Sequence, residues 1–278
     1  LTEAAGVAIT NASRGSASGG YGRLYEAATT NLISYSGDKT QWIKANVSVD
    51  SNVVVDTFGN LLADKVKEST TSNVGHQVSR PFNVIIGTNY CAWAIAKAAE
   101  RRYLQVNFNS SGFGTNDYAT YDLQTGTVTE TGSSGTSGII ALANSYYLCW
   151  RSLPAIATGG FSVFWAPSII NNPGRSPNYV GVVGNGVYMA DCQVEQGYYP
   201  TSLIQTSTTA ASRSATVESF TASNINTLSG GIYLEFRPTH TPSGTIYLWG
   251  SYVDASNYTA ILHDATNLIF RKRIDGTN

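Results

Sequence analysis

The chain has 278 residues, a mass of 29.6 kDa and a formal net charge of −1, enough for one large or two ordinary domains. Charged residues are only 13% against 42% hydrophobic ones, so polarity rests on 60 Ser and Thr, 21 Asn and 27 Gly, the composition of an all-β protein rather than of a disordered chain. A pI near 6.3 without basic runs argues against nucleic acid, and no apolar run reaches the ~18 residues of a membrane span or forms a secretion signal.

The chain starts at Leu1 and holds one methionine, Met189, which reads as a piece of a longer polypeptide. Residues 1–23, rich in Ala, Gly and Ser, read as an arm or linker. From Asn31 onward short apolar runs alternate with turn residues. Strands are expected at Val47–Val49 and Val53–Val55, then Ala63–Val66, His76–Arg80, Tyr90–Lys97, Tyr103–Phe108, Tyr118–Leu123, Thr127–Thr131, Tyr146–Leu153, Gly160–Ala166, Tyr179–Val183 and Gly186–Glu195. Such short strands with recurrent turns predict an antiparallel β-sandwich.

Ala92–Arg102 is rich in helix formers, yet Cys91, Trp93 and Ile95 alternate with alanines. Period two reads as a strand running into a turn at 98–101, with a short helix as the alternative. Next, Leu104, Val106 and Phe108 fall on one face, expected inside. Tyr103, Gln105 and Asn107 fall on the other, expected outside. Gln124-Thr125-Gly126 reads as a hairpin turn. Residues 207–214 read as a connector, and 215–278 as the start of a second, incomplete β-sandwich, with strands at Ala215–Ser219, Gly231–Arg237, Thr245–Trp249, Tyr258–Leu262 and Leu268–Arg273.

Several stretches resemble one family. Arg23–Ser36 (RLYEAATTNLISYS) resembles the L-I-E-P-A-x-T-N-L-L-x-Y-S opening of bacteriophage virion proteins that carry a carbohydrate-binding-module-like jelly roll. In the same order follow ATYDLQTGTV (Ala119–Val128), LANSYYLCW (Leu142–Trp150) and ADCQVEQGYYPTSLIQT (Ala190–Thr206), with Ser212-Arg213 after it. The resemblance spans residues 24–213. Tyr146, Leu148, Trp150 and Leu203 depart from the family's usual Trp, Arg, small polar residue and Tyr. GIYLEFRPTH and ASNYTAILHDATNLIFRKR are similar to the start of a concanavalin/laminin-G-like sandwich. The resemblance implies a non-enzymatic fibre, spike or head-decoration component of a virion. It would act as spacer or display module beside other virion proteins, as a homo-oligomer (a trimer favoured) that touches host-surface glycan. The alternative is the carbohydrate-binding module of a secreted glycoside hydrolase.

The residues themselves offer little catalytic chemistry. His76, His240 and His263 lack metal-ligand spacing, and no nucleophile motif stands out. Asp117, Asp122 and Glu130 lie near or within the 119–131 hairpin and read as solvated surface carboxylates; a paired-acid site would need two of them across a cleft. Cys91, Cys149 and Cys192, 58 and 43 residues apart, read as buried free thiols. Trp42, Trp93 and Trp165 read as core. Gln193 and Glu195 share a strand face, either hydrogen-bonded within the sheet or exposed. For sugar, the candidate platform is Tyr103, Gln105 and Asn107 with Trp150, because a ring stacks on C–H faces while amides pair with hydroxyls. No cofactor is expected, although oxygen-bound calcium would use Asp50, Asp56 or Asp191.

Overall fold

The computed structural model describes residues 26–216, 246–254, 257–263 and 267–273. The chain divides into two compact units, Leu1–Glu218 and Ser219–Asn278. In the first, the strands are β1 (Thr29–Asn31), β2 (Ile43–Ala45), β3 (Val47–Val55), β4 (Leu61–Glu68), β5 (Asn73–Val74), β6 (Gln77–Val84), β7 (Asn89–Ala98), β8 (Tyr103–Phe108), β9 (Tyr118–Asp122) and β10 (Thr127–Thr131). They continue with β11 (Thr136–Ala141), β12 (Tyr147–Pro154), β13 (Gly159–Ser168), β14 (Tyr179–Val180), β15 (Gly186–Gln196) and β16 (Ala211–Arg213). Among the described residues, helix is confined to Ser110–Phe113 and two 3-10 turns, and no helix is long and apolar enough to cross a membrane.

Two six-stranded antiparallel sheets make the sandwich. One has the order β10-β9-β8-β13-β6-β2 and the other β11-β12-β7-β15-β4-β3. Phe82, Val106, Phe108 and Trp165 from the first meet Val66, Val187, Met189 and Val194 from the second in one buried cluster. Trp42 packs tilted against Trp165 at 4.8 Å between ring centroids. In β7 the alanines 92, 94 and 96 face this interior, while Cys91, Trp93 and Ile95 enter a second buried cluster with Tyr146, Leu148, Trp150 and Leu203. Both faces of β7 are thus dry, which explains its nearly continuous apolar run. The strand reading of Ala92–Arg102 is the correct one: β7 ends at Ala98 in a bend.

Two expectations about burial separate here. Leu104, Val106 and Phe108 are fully buried, as period two requires. Gln105 and Asn107 are not exposed: both stand at 0% accessibility. Strands β1, β2, β5, β11 and β16 lie outside the segments expected from sequence. In β11, Gly138 replaces a side chain where a Cβ would sit 2.6 Å from the Trp150 indole nitrogen, so the strand looks like a loop in a Gly/Ser-rich run. Residues 211–213, expected within a connector, pair with Thr29–Asn31.

In the second unit, β17 (Ile246–Asp254), β18 (Asn257–His263) and β19 (Leu268–Arg273) form an antiparallel sheet, with Ala260 and Leu262 buried and Leu268 and Phe270 exposed. The arm expected at 1–23, the strand expected at Gly231–Arg237, most of that expected at Ala215–Ser219 and His240 lie outside the described residues.

Candidate functional site

Three constellations use the polar residues that the sequence brings forward. The first is the outer face of β8 and β9. Residues 169–178 leave β13, cross this face and return to β14. They are held by the two amides offered above as a sugar platform. Gln105 Nε2 donates to the Gly174 carbonyl at 2.7 Å and to Thr120 Oγ1 at 3.0 Å, while its Oε1 accepts from the Ser176 N–H at 2.7 Å. Asn107 Nδ2 donates to Ser176 Oγ at 2.6 Å and to Gln105 Oε1 at 3.1 Å, leaving Asn107 Oδ1 buried without a partner. Arg175 pins the crossing through Asp117 at 2.6 and 3.0 Å and the Phe108 carbonyl at 2.8 Å. Glu130 accepts from the Gly174 N–H at 2.9 Å and from the Tyr118 hydroxyl at 3.2 Å.

This corrects the exposure of the platform. The amides of Gln105 and Asn107 are spent on a loop 69 residues downstream, a return that a local pattern cannot show. Tyr103 stays half-buried at the rim, with the Arg102 guanidinium 5.4 Å from its ring centroid. Trp150 belongs to the other sheet, nearly buried and edge-on to Tyr199 at 5.5 Å. Tyr103 and Trp150 therefore do not share a surface.

The second constellation accounts for the ADCQVEQGYYPTSLIQT segment. Glu195, fully buried, accepts from Trp93 Nε1 at 3.0 Å, Thr201 N–H at 2.8 Å, Thr201 Oγ1 at 2.5 Å and Thr29 Oγ1 at 3.2 Å. Burial pushes its carboxyl above the ordinary range, against the pull of those donors. Gln193 Oε1 accepts from the Ile204 N–H at 2.8 Å. Asn31 Nδ2 donates to the Ile204 carbonyl at 2.8 Å, and its Oδ1 accepts from the Val194 N–H at 3.2 Å. Glu26 accepts from the Ser202 N–H at 2.7 Å and pairs with Arg213 at 2.7 Å. The motif is a clasp. Its side chains replace the ladder bonds that an irregular 199–206 segment cannot make, and they tie the first strand to the last.

The third constellation lies at the opposite end of β15. Glu68, also fully buried, takes Arg101 through Nε at 2.5 Å and Nη2 at 2.6 Å, the Tyr179 hydroxyl at 2.8 Å and the Val182 N–H at 2.5 Å. Burial alone would raise this carboxyl, but the bonds from Arg101, Val182 and Tyr179 outweigh it and hold it below the ordinary range. His76 is clipped between the Asn46 and Tyr179 carbonyls at 3.0 and 3.3 Å.

The other singled-out groups are likewise engaged. Asp117 and Asp122 are buried rather than solvated. Burial raises the Asp117 carboxyl despite Arg175. Asp122 caps the Gln124-Thr125-Gly126 turn through the Gln124 N–H at 2.9 Å and pairs with Arg102, whose hydrogen bonds hold it far below the ordinary range. Of the calcium candidates, Asp50 pairs with Lys67 at 2.6 Å, and Asp56 accepts from the N–H groups of Phe58 and Asn60 at 2.8 and 2.9 Å. Asp191 is raised by its burial. The sequence signal for these fasteners was available: isolated charges in a chain with few of them.

Placed together, the clasp and the Glu68 cluster define the two ends of the sandwich. The incoming and outgoing segments lie side by side, with Thr29 opposite Arg213 and the Thr216 N–H on the Glu26 carbonyl at 2.9 Å. The Glu68 end is separated from them by the eleven residues of β15, roughly 33 Å at a strand's usual rise.

No family model matches the sequence, and no curated protein matches it. Among solved structures the chain is similar to a carbohydrate binding module (CBM6cm-2) from Cellvibrio mixtus lichenase 5A in complex with cellotriose, with 9% identity, a TM-score of 0.30, and 63% of this chain and 99% of that one covered.

Proposed function

We propose that residues 26–216 are a pendant display module of a bacteriophage virion surface protein, a fibre, spike or decoration component that works without catalysis or cofactor. One observation carries the display role: the chain enters and leaves the sandwich at a single point, through paired strands and a buried clasp. A spacer in series needs its two ends at opposite poles. A module whose ends meet hangs from its carrier and holds its far end, roughly 33 Å out, toward whatever the particle meets. The virion assignment draws on the ordered motifs between Arg23 and Arg213. What the far end meets on this reading is host-surface glycan.

The test is to join residue 25 to residue 217 in the protein as carried by its particle, then count particles and measure adsorption to host cells. Assembled particles with lost adsorption are expected. Failure to assemble would make the module structural, and unchanged adsorption would remove the attachment role. Retention of the isolated chain on an insoluble glucan, with no particle in which the chain occurs, would favour the glycoside-hydrolase module instead.

A further inference from the structure

The hairpin joining β3 to β4 carries an apolar surface that the sandwich does not use. Val53, Val55, Phe58, Leu61 and Leu62 are exposed by 46, 42, 40, 58 and 49%. Between Ser51 and Ala63 the only charged residue is Asp56, which is buried and turned inward onto the turn's N–H groups. The hairpin is also fixed in place. Tyr146 donates its hydroxyl to the Val55 carbonyl at 3.0 Å, and Asn144 its amide to the Asp56 carbonyl at 2.9 Å. Those two carbonyls are therefore already engaged, which holds the turn against the sandwich. On the flanking strands, Lys67 pairs with Asp50 and Lys65 with Glu100.

We propose that this hairpin is a docking face for the same hairpin of a second copy of the chain. Asn52 and Asn60 are exposed among these side chains, but no exposed charge stands between Ser51 and Ala63, and an apolar, uncharged patch is complementary to itself, as a two-fold contact requires. The five side chains expose on the order of 400 Å², within the range of the largest patch on a monomer and often functional. Two copies would bury about 800 Å² from these residues, and their surroundings bring the total near the ~1,000 Å² at which specific contacts begin. The contact is thus weak for isolated chains and effective where an assembly already holds copies close together. It does not depend on the virion reading.

Sedimentation of the full 278-residue chain over a wide concentration range tests this directly. Self-association that rises with concentration is expected, weakened at least tenfold by Leu61→Lys and by Phe58→Ser. Ile86→Lys, an equally exposed site at 61% outside the hairpin, should leave it unchanged. Thermal melts establish that the variants are folded; should Leu61→Lys melt early, Leu62→Ser replaces it. A wild-type chain that stays monomeric throughout overturns the proposal. So does association indifferent to the hairpin variants, including one where they abolish binding to another particle protein instead. Particle counts and adsorption play no part in these readouts, so failure here is distinct from failure of the display role.

Discussion

Replacing Glu68 by Gln keeps the shape of the side chain and removes its charge. The carboxylate accepts four hydrogen bonds, two from Arg101 and one each from Tyr179 and Val182, and the amide can accept at only one of its two heavy atoms. Hydrogen bonds to charged groups contribute roughly 1.5–3 kcal/mol, so the variant should lose about 2 kcal/mol near neutrality. For a unit of this size that is about 4–8 °C in Tm. Glu68→Ala should cost more, about 3–5 kcal/mol, because it strands the largely buried Arg101 guanidinium. The pH dependence distinguishes charge from packing. Glu68 is held below its ordinary value in the folded state, so its contribution is complete above the unfolded value of about 4.3 and is lost as pH falls through the folded one. Thermal unfolding of wild type and Glu68→Gln at a series of pH values should give curves that converge in acid. A gap of constant size from neutral pH into acid would refute the reasoning.

Glu195→Gln should show the opposite sign: burial raises this carboxyl, so the wild type loses stability as pH rises through the folded value and the melting difference moves in the variant's favour, readable from the same melts. Gly186→Ala would place a Cβ 2.0 Å from the Val66 carbonyl oxygen and should lower the urea midpoint by an amount equivalent to about 1–3 kcal/mol. Cys91, Cys149 and Cys192 are buried and free, with burial raising all three thiols, Cys192 to about 12. A disulfide-exchange reagent should label none of them in the native chain and all three after denaturation.

Strand existence was legible wherever alternation was local. Tyr103–Phe108 and Thr127–Thr131 have their expected bounds, and the turn between Asp122 and Thr127 has Gly126 at a positive φ of 69°. What escaped was set by partners distant in sequence. Thr29–Asn31 is a strand because Ala211–Arg213 lies beside it, and nothing in three residues announces that. On β8, period two separates the core face from its opposite without saying what covers the second. Here a crossing loop covers it, with Gln105 holding that loop's backbone and Asn107 its Ser176 hydroxyl. Likewise the alternation at Gln193 and Glu195 was plain, but the segment it clasps returns from further along the chain.

Charge is where the sequence carried more than local pattern could extract. In a chain with 13% charged residues, solvation of the surface rests on hydroxyls and amides, so each carboxylate is free to act elsewhere. Glu68, Asp117, Asp122 and Glu195 are all buried, and each stands where an irregular segment crosses or closes a sheet: 179–183, 175, 124–125 and 201. An ion pair or a ring of donors at such a crossing satisfies backbone groups that have no ladder partner. It also fixes the crossing at one register, since a slipped loop would leave a buried charge unpaired. The corollary concerns the outside. With a net charge of −1 and several of its charges drawn inward, the chain has little electrostatic repulsion to oppose contact between copies. An apolar hairpin held rigidly at the surface then meets its own kind without the penalty that a charged surface would impose.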